Sequence, residues 1–150
     1  MKADIDAAFR RIPVQVNHRW AAAVAWQCKG EPWVATHIGM PFGAAASGIA
    51  WHKVGHLLSL IGRRLLGLPL YRYVDDYFAA DRPETVEHGL STFVKLVRAI
   101  LGPSSISNSK VECGMTLVIL GILVRVLLFS NLPAQHGIFL AGRCNQVNCR

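Results

Sequence analysis

The stretch LYRYVDDYFAA, residues 70–80, places two adjacent carboxylates between two apolar runs. Such runs are typical of β-strands, and the acids between them predict a tight hairpin with Asp75 and Asp76 at its tip. Adjacent carboxylates repel each other, and burying either is costly unless a cation or hydrogen bonds compensate. The pair therefore either lies at a solvated turn or binds a metal ion.

A second pair of carboxylates lies near the start of the chain. Asp4 and Asp6 are two residues apart in a predicted strand over residues 2–6, so both project from one face. If this strand pairs beside the hairpin, carboxylates remote in sequence meet at one sheet edge. Such oxygen-rich sites suit Mg²⁺ or Mn²⁺, and two such ions can assist phosphoryl transfer. Because adjacent strand residues point to opposite faces, we expect only one of Asp75 and Asp76 to be a full ligand.

The other segments predict an α+β domain with two main helices on one face of an antiparallel sheet, a ferredoxin-like or RRM-like core. Turn residues and apolar spacing define the elements. We predict a small hairpin around Gly30, helices over about 44–66 and 83–101, and one or two strands within 115–124. The apolar stripes predicted to be buried are Ala50, Val54, Leu57, Leu58, Ile61 and Leu65 in the first helix, and Val86, Leu90, Phe93, Val94, Val97 and Leu101 in the second.

The charge of the chain favours a polyanionic partner. The 150 residues carry a formal net charge of +7, and no acid occurs between Glu31 and Asp75 or after Glu112. The most apolar window, residues 115–129, is too short for a membrane span and contains Arg125. The N-terminus lacks the apolar core of a signal peptide. We therefore expect an intracellular protein, in the cytoplasm or nucleus, without a membrane partner.

Four ordered segments resemble the successive palm motifs of reverse transcriptases, and most closely those of retrotransposons. They are DIDAAFRRIPV, MPFGAAASG, YVDDY and SNSKVECGMTLVILGILV, within residues 3–124. The resemblance implies an RNA-directed DNA polymerase that transfers a nucleotide from a dNTP to a primer 3′-hydroxyl with two Mg²⁺ or Mn²⁺ ions. It implies that Asp4, Asp75 and Asp76 are the catalytic, metal-binding acids.

The resemblance also assigns the nucleotide-binding residues. Phe9 matches the aromatic steric gate beneath the incoming sugar, where a flat ring leaves no room for a 2′-hydroxyl. Phe42 and Gly43 match the loop that contacts nucleotide and template, and Gly43 allows close backbone approach at a helix N-terminus. Lys110 matches a basic residue suited to the pyrophosphate. Packing in the core for Phe9, and a solvated charge for Lys110, remain the alternatives.

Weaker patterns indicate contacts with the nucleic acid. Arg10 and Arg11 could bind phosphates or be solvated, and Tyr73 could stack on a base or pack on the sheet. His52 and His56 have the i, i+4 spacing of metal-binding helices, but Lys53 replaces the glutamate of a zinc-protease motif. The four cysteines match no common zinc pattern, so we expect free thiols.

The domain assignment is a palm over residues 1–124 and an unassigned tail over residues 125–150. The fingers, thumb, RNase H and recombinase or integrase regions of such polyproteins are expected partners that this sequence does not contain. Because a palm alone does not clamp primer and template, we expect this chain by itself to be inactive or nearly so. The alternative is an inactive retroelement remnant that at most binds nucleic acid.

Overall fold

The computed structural model describes residues 1–127 and 139–143, with side chains described up to Val126. Two long helices alternate with short strands in this part of the chain. In chain order the elements are β1 (Lys2–Asp4), β2 (Ala23–Cys28), β3 (Glu31–Thr36), α1 (Ala45–Arg64), β4 (Leu70–Tyr73), β5 (Asp76–Ala79), α2 (Pro83–Leu101), β6 (Val111–Glu112), β7 (Thr116–Ile119), β8 (Ile122–Leu127) and β9 (Phe139–Arg143).

The central sheet has the strand order β4-β5-β1-β6, and its neighbouring strands are antiparallel. Strands β2 and β3 form a separate two-stranded ribbon, and β7, β8 and β9 form a third sheet. The α+β class, the antiparallel sheet and the two main helices are confirmed. The strand order brings β1, from the start of the chain, beside the β4–β5 hairpin.

Both helices pack on the same face of the central sheet, as predicted. Tyr77 in β5 shows this, because its ring lies 5.1 Å from the ring of Phe93 in α2. The hydroxyl of the same tyrosine donates a 3.0 Å hydrogen bond to the carbonyl oxygen of Gly55 in α1. Burial also raises the pKa of the Tyr77 phenol. One side chain of the hairpin thus contacts both helices.

The two helices bury their predicted faces to different extents. In α2 the buried residues include Leu90, Phe93, Val94 and Val97, which confirms most of the predicted stripe. In α1 the prediction is partly wrong, since Leu57 and Leu65 are exposed. Only two of the six residues that α1 buries are large and apolar, Trp51 and Leu58. The others are small: Ser47, Gly55, Ser59 and Gly62.

Close packing against β4 explains the face that α1 buries. A Cβ on Gly55 would lie 2.7 Å from Nη1 of Arg72, and one on Gly62 would lie 2.8 Å from Cδ2 of Leu70. Glycine at these positions lets the helix approach the sheet. Larger side chains such as Leu57 therefore face away from it.

The β7–β8 hairpin lies near the β4–β5 hairpin and the start of α2, and residues of all three line one cavity. An apolar cavity of about 400 Å³ separates the two hairpins, and Tyr71, Phe78, Leu117 and Val124 are among its lining residues. The predicted strands around Gly121 are confirmed by the pairing of β7 with β8.

The predicted boundary at residue 124 falls within β8, which continues to Leu127 and pairs with β9. Part of the unassigned tail therefore forms a sheet with the preceding strands, and its other residues lie outside the described part of the chain. No helix in the described part is long and apolar enough to cross a membrane.

Candidate active site

The three predicted catalytic aspartates come together at one end of the central sheet. Asp4 and Asp76 are direct cross-strand neighbours in the β1–β5 pairing. The backbone N–H of Ile5 donates a 3.2 Å hydrogen bond to the carbonyl oxygen of Asp75, so the third aspartate lies beside the end of β1. The side chains of Asp4 and Asp76 are 25% and 22% exposed, so both remain open to solvent ions.

The turn that carries Asp75 has a strained backbone. Val74 has a φ of 50°, which is rare for a β-branched residue. Two donors hold its carbonyl oxygen: Nε1 of Trp51 at 2.8 Å and Nη1 of Arg72 at 2.6 Å. Because Trp51 is buried in α1, the helix fixes the turn and thereby the backbone of Asp75.

The pKa of Asp76 depends on several charged groups close to its carboxyl. Burial raises the pKa of the Asp76 carboxyl, and the neighbouring carboxylates of Asp4 and Asp75 raise it further. The ammonium groups of Lys2 and Lys110 act in the opposite direction. Lys2 forms a long ion pair with Asp76, with 4.0 Å between Nζ and Oδ1. The acids thus form a site of negative potential that favours a cation.

Lys110 contacts the first of these aspartates directly. It immediately precedes β6, whose Val111 pairs with Ala3 in β1. Its Nζ atom lies 2.7 Å from Oδ2 of Asp4 and 2.7 Å from Oδ1 of Asp6. These two carboxylates raise the pKa of the Lys110 ammonium. The predicted nucleotide-binding lysine therefore lies beside the acid cluster of Asp4, Asp75 and Asp76. Its contact with a pyrophosphate remains a prediction.

Asp6 does not project beside Asp4 from a shared strand, as the sequence suggested, because β1 ends at Asp4. Its backbone N–H instead donates to the carbonyl oxygen of Ser105 at 2.8 Å. Its carboxylate accepts a 3.1 Å hydrogen bond from the N–H of Ser107. The Lys110 hydrogen bond is the first of several contacts that lower the pKa of Asp6.

The predicted nucleotide-binding aromatics lie together. The rings of Phe9 and Phe42 are 5.6 Å apart in an edge-to-face arrangement with an interplanar angle of 61°. Phe42 is 82% exposed, whereas Phe9 is partly buried and packs against the core. The alternative of core packing therefore holds for one part of the Phe9 side chain, and Phe42 covers another.

The loop before α1 has a left-handed backbone at Gly43, whose predicted approach to a nucleotide remains a prediction. Its φ of +88° is a left-handed conformation that favours glycine. No atom lies within 4 Å of a Cβ built at this position, so the backbone conformation, and not crowding, is the reason for glycine here. The hydroxyl of Ser47 donates a 2.7 Å hydrogen bond to the carbonyl oxygen of Pro41. The N–H of Met40 bonds the carbonyl oxygen of Ile12 at 2.9 Å and ties this loop to the segment after Phe9.

The predicted nucleic-acid contacts differ in their surroundings. Arg10 is exposed, whereas Arg11 donates to the backbone of Asp6 and to both the hydroxyl and the carbonyl of Ser104. Arg11 therefore has a structural role within this chain. Tyr73 is 59% exposed and lies opposite Asp76 in the β4–β5 pairing, next to the acid cluster. Whether Arg10, Arg11 and Tyr73 contact nucleic acid remains a prediction.

The site does not contain a preformed metal cage. Among the residues with described side chains, no three His, Cys, Asp or Glu groups are close enough to hold a metal ion together. This includes His52 and His56, whose rings stack at 6.2 Å on α1. Asp4, Asp75 and Asp76 carry the carboxylate oxygens that hard divalent cations prefer, but in this structure the three carboxylates are not gathered around one point.

The fold of the described chain resembles that of a solved structure. The chain matches a solved structure of the foamy viral protease-reverse transcriptase in complex with an RNA/DNA hybrid, with a TM-score of 0.57 and 18% sequence identity. The two share a fold. The match covers 83% of this chain and 16% of the viral chain, so this chain spans about a sixth of that protein's length. The sequence matches no protein-family model and no curated protein.

Sequence reasoning missed the residues that support the turn carrying Asp75. Trp51 and Arg72 bind the Val74 carbonyl, and no motif signals either contact, since each depends on how α1 packs on the sheet. Asp6 could have been recognised as a partner of Lys110 only from the fold, because the two residues are remote in sequence.

Proposed function

We propose that this chain is the palm of an RNA-directed DNA polymerase of retrotransposon type. The observation that carries the proposal is the meeting of Asp4, Asp75 and Asp76 at one end of the central sheet, within a fold shared with a reverse transcriptase. The reaction is attack of a primer 3′-hydroxyl on the α-phosphate of a dNTP, with pyrophosphate as the leaving group. Template-primer and dNTP are its substrates.

The acids have the central role in this reaction. Asp4, Asp75 and Asp76 would hold Mg²⁺ or Mn²⁺, which activates the hydroxyl and stabilises the leaving phosphate when bound. Burial, and to a lesser extent the carboxylates of Asp4 and Asp75, raise the pKa of Asp76, and a bound cation would relieve the repulsion among the three acids. The strained Val74 turn, held by α1, fixes the approach of Asp75 to the other two acids.

The remaining residues bind and orient the substrates. The Phe9–Phe42 pair forms an aromatic wall, which we assign to the sugar of the incoming nucleotide. Exposed Arg10 and the N-terminus of α1 after Gly43 supply positive charge for phosphates. Tyr73, beside the acids, is placed to stack on the primer or template end.

Primer extension on poly(rA) with an oligo(dT) primer and Mg²⁺ tests the proposal. We expect slow, template-dependent incorporation by the chain, because positioning by other domains supplies much of the rate. Asp75→Asn and Asp4→Asn should abolish it. The exposed acid Glu87 on α2 gives the matched control, and Glu87→Gln should retain the wild-type rate.

A second candidate is an inactive fragment that binds nucleic acid. The Lys110 ion pair favours it, because an ammonium already neutralises Asp4 without any metal. Salt-sensitive binding to an RNA/DNA hybrid, with no incorporation above the Asp75→Asn background, would select this candidate over the polymerase.

A further inference from the structure

The ammonium of Lys110 occupies a position between two carboxylates of different roles. Its Nζ lies 2.7 Å from Asp4, a proposed metal ligand, and 2.7 Å from Asp6, which is outside the proposed catalytic set. The lysine side chain is 41% exposed. An ion pair this open to water is weak and exchanges readily, so another cation can replace the lysine on Asp4.

Asp6 is held in place independently of the lysine. Its N–H donates to the carbonyl oxygen of Ser105, and its Oδ2 atom accepts the N–H of Ser107. Its carbonyl oxygen accepts a 2.9 Å hydrogen bond from Nε of Arg11. Oδ2 of Asp6 accepts the backbone hydrogen bond, and Oδ1 forms the ion pair with the ammonium of Lys110.

We propose that Asp6 is a positioning residue that holds Lys110 on Asp4, so that the lysine ammonium and a divalent cation compete for the Asp4 carboxylate. The inference rests on the proposed function, which makes Asp4 a metal ligand. Without the divalent cation, the lysine neutralises Asp4. With it, Lys110 leaves Asp4, keeps its bond to Asp6 and stays beside the site.

Mn²⁺ binding to the whole chain, followed by electron paramagnetic resonance of the free ion, tests the competition. Lys110→Gln removes the competing charge and should tighten Mn²⁺ binding about two- to fivefold, the range for an exposed ion pair. Lys110→Arg keeps a cation and should bind Mn²⁺ as the wild type does. Lys95→Gln makes the same charge change at an exposed site on α2 and should not reproduce the gain.

The role of Asp6 is tested by combining variants. Asp6→Asn removes a negative charge, which weakens Mn²⁺ binding, but in the wild-type background it also releases Lys110 from Asp4. The loss of affinity should therefore be smaller in the wild type than in the Lys110→Gln background. Equal losses in both backgrounds would show that Asp6 does not act through the lysine.

The outcomes separate this inference from the proposed function. Tighter Mn²⁺ binding by Lys110→Gln, without primer extension by the wild type, supports the inference and favours the inactive fragment over the polymerase. Primer extension that depends on Asp75, with unchanged Mn²⁺ affinity in Lys110→Gln, supports the polymerase and overturns the inference. Mn²⁺ binding that Asp4→Asn leaves intact overturns the inference. Lys110→Met, which also removes the charge, replaces the glutamine variant if circular dichroism shows that variant unfolded.

Discussion

The indole N–H of Trp51 on α1 donates a 2.8 Å hydrogen bond to the carbonyl oxygen of Val74, in the turn that carries Asp75. This contact joins the helix to the acid cluster across 23 residues of sequence. The guanidinium of Arg72 donates to the same oxygen and lies 3.1 Å from Nδ1 of His52, also on α1. The position of α1 therefore sets the geometry of the turn that carries Asp75.

Trp51→Phe should destabilise the fold by about 1–3 kcal/mol, since it removes the hydrogen bond and part of a fully buried ring. Urea denaturation measures the change. Trp26→Phe is the matched control, because Trp26 is 47% exposed in the β2–β3 ribbon and its replacement should change stability by no more than about 0.5 kcal/mol. Equal effects of the two substitutions would contradict the role given to Trp51.

Val74→Asn should raise the free energy of unfolding by about 0.5–1 kcal/mol. Asparagine tolerates the left-handed conformation that valine resists, and Val74 is 41% exposed, so little packing is lost. The same change at Val118, half-exposed in β7, should lower stability, because there the backbone is extended and valine is favoured. A loss of stability at position 74 would show that the turn carries no strain.

Asp76→Asn should stabilise the metal-free chain at pH 7. Because the folded state raises the pKa of Asp76, it binds the proton more tightly than the unfolded state, and stability falls as the pH rises through the folded pKa. The variant escapes this loss, so its melting temperature at pH 7 should exceed that of the wild type. The difference in melting temperature should vanish below pH 3.8, the pKa of this carboxyl in the unfolded chain. Thermal melts at several pH values, with Glu87→Gln as the control, measure it.

Gly39→Ala should destabilise the fold by about 1–3 kcal/mol or more, because its Cβ would overlap the backbone carbonyl of Arg10, which cannot move aside as a flexible side chain can. Gly48→Ala is the opposite case. That glycine is exposed in α1 with open space around it, so alanine should stabilise the helix by up to about 1 kcal/mol. Chemical denaturation of both variants measures the contrast, and a stable Gly39→Ala would contradict the close approach of the two segments.

The helices show how far periodicity predicts packing. The stripe of α2 follows from the sequence because large apolar residues face the sheet, and Phe93 and Val97 are fully buried. The face of α1 could not be read in this way. Its contact with β4 depends on Gly55 and Gly62, whose lack of a side chain carries no hydropathy signal. The exposed leucines Leu57 and Leu65 gave the stronger but misleading pattern.

The acids of the site could be predicted because their motifs are local, but their partners could not. The hairpin follows from the two apolar runs, but its register does not: the two-residue turn is Val74–Asp75, and Asp76, predicted at the tip, is the first residue of β5. The ion pairs of Lys110 depend on β6 lying beside β1, a pairing between the two ends of the palm segment. The end of β1 also could not be predicted: the strand stops at Asp4, and the N–H of Asp6 bonds the carbonyl oxygen of Ser105, which is remote in sequence.

The exposed β2–β3 ribbon affects the solubility of the purified chain. Every residue of both strands is exposed, and the stacked rings of Trp26 and Trp33, 6.5 Å apart, face solvent. Long exposed strands with apolar side chains template unwanted pairing between molecules. Concentrated samples are therefore expected to aggregate through this ribbon, and a lysine in place of Val34, which is 68% exposed, offers a soluble variant for biophysical work.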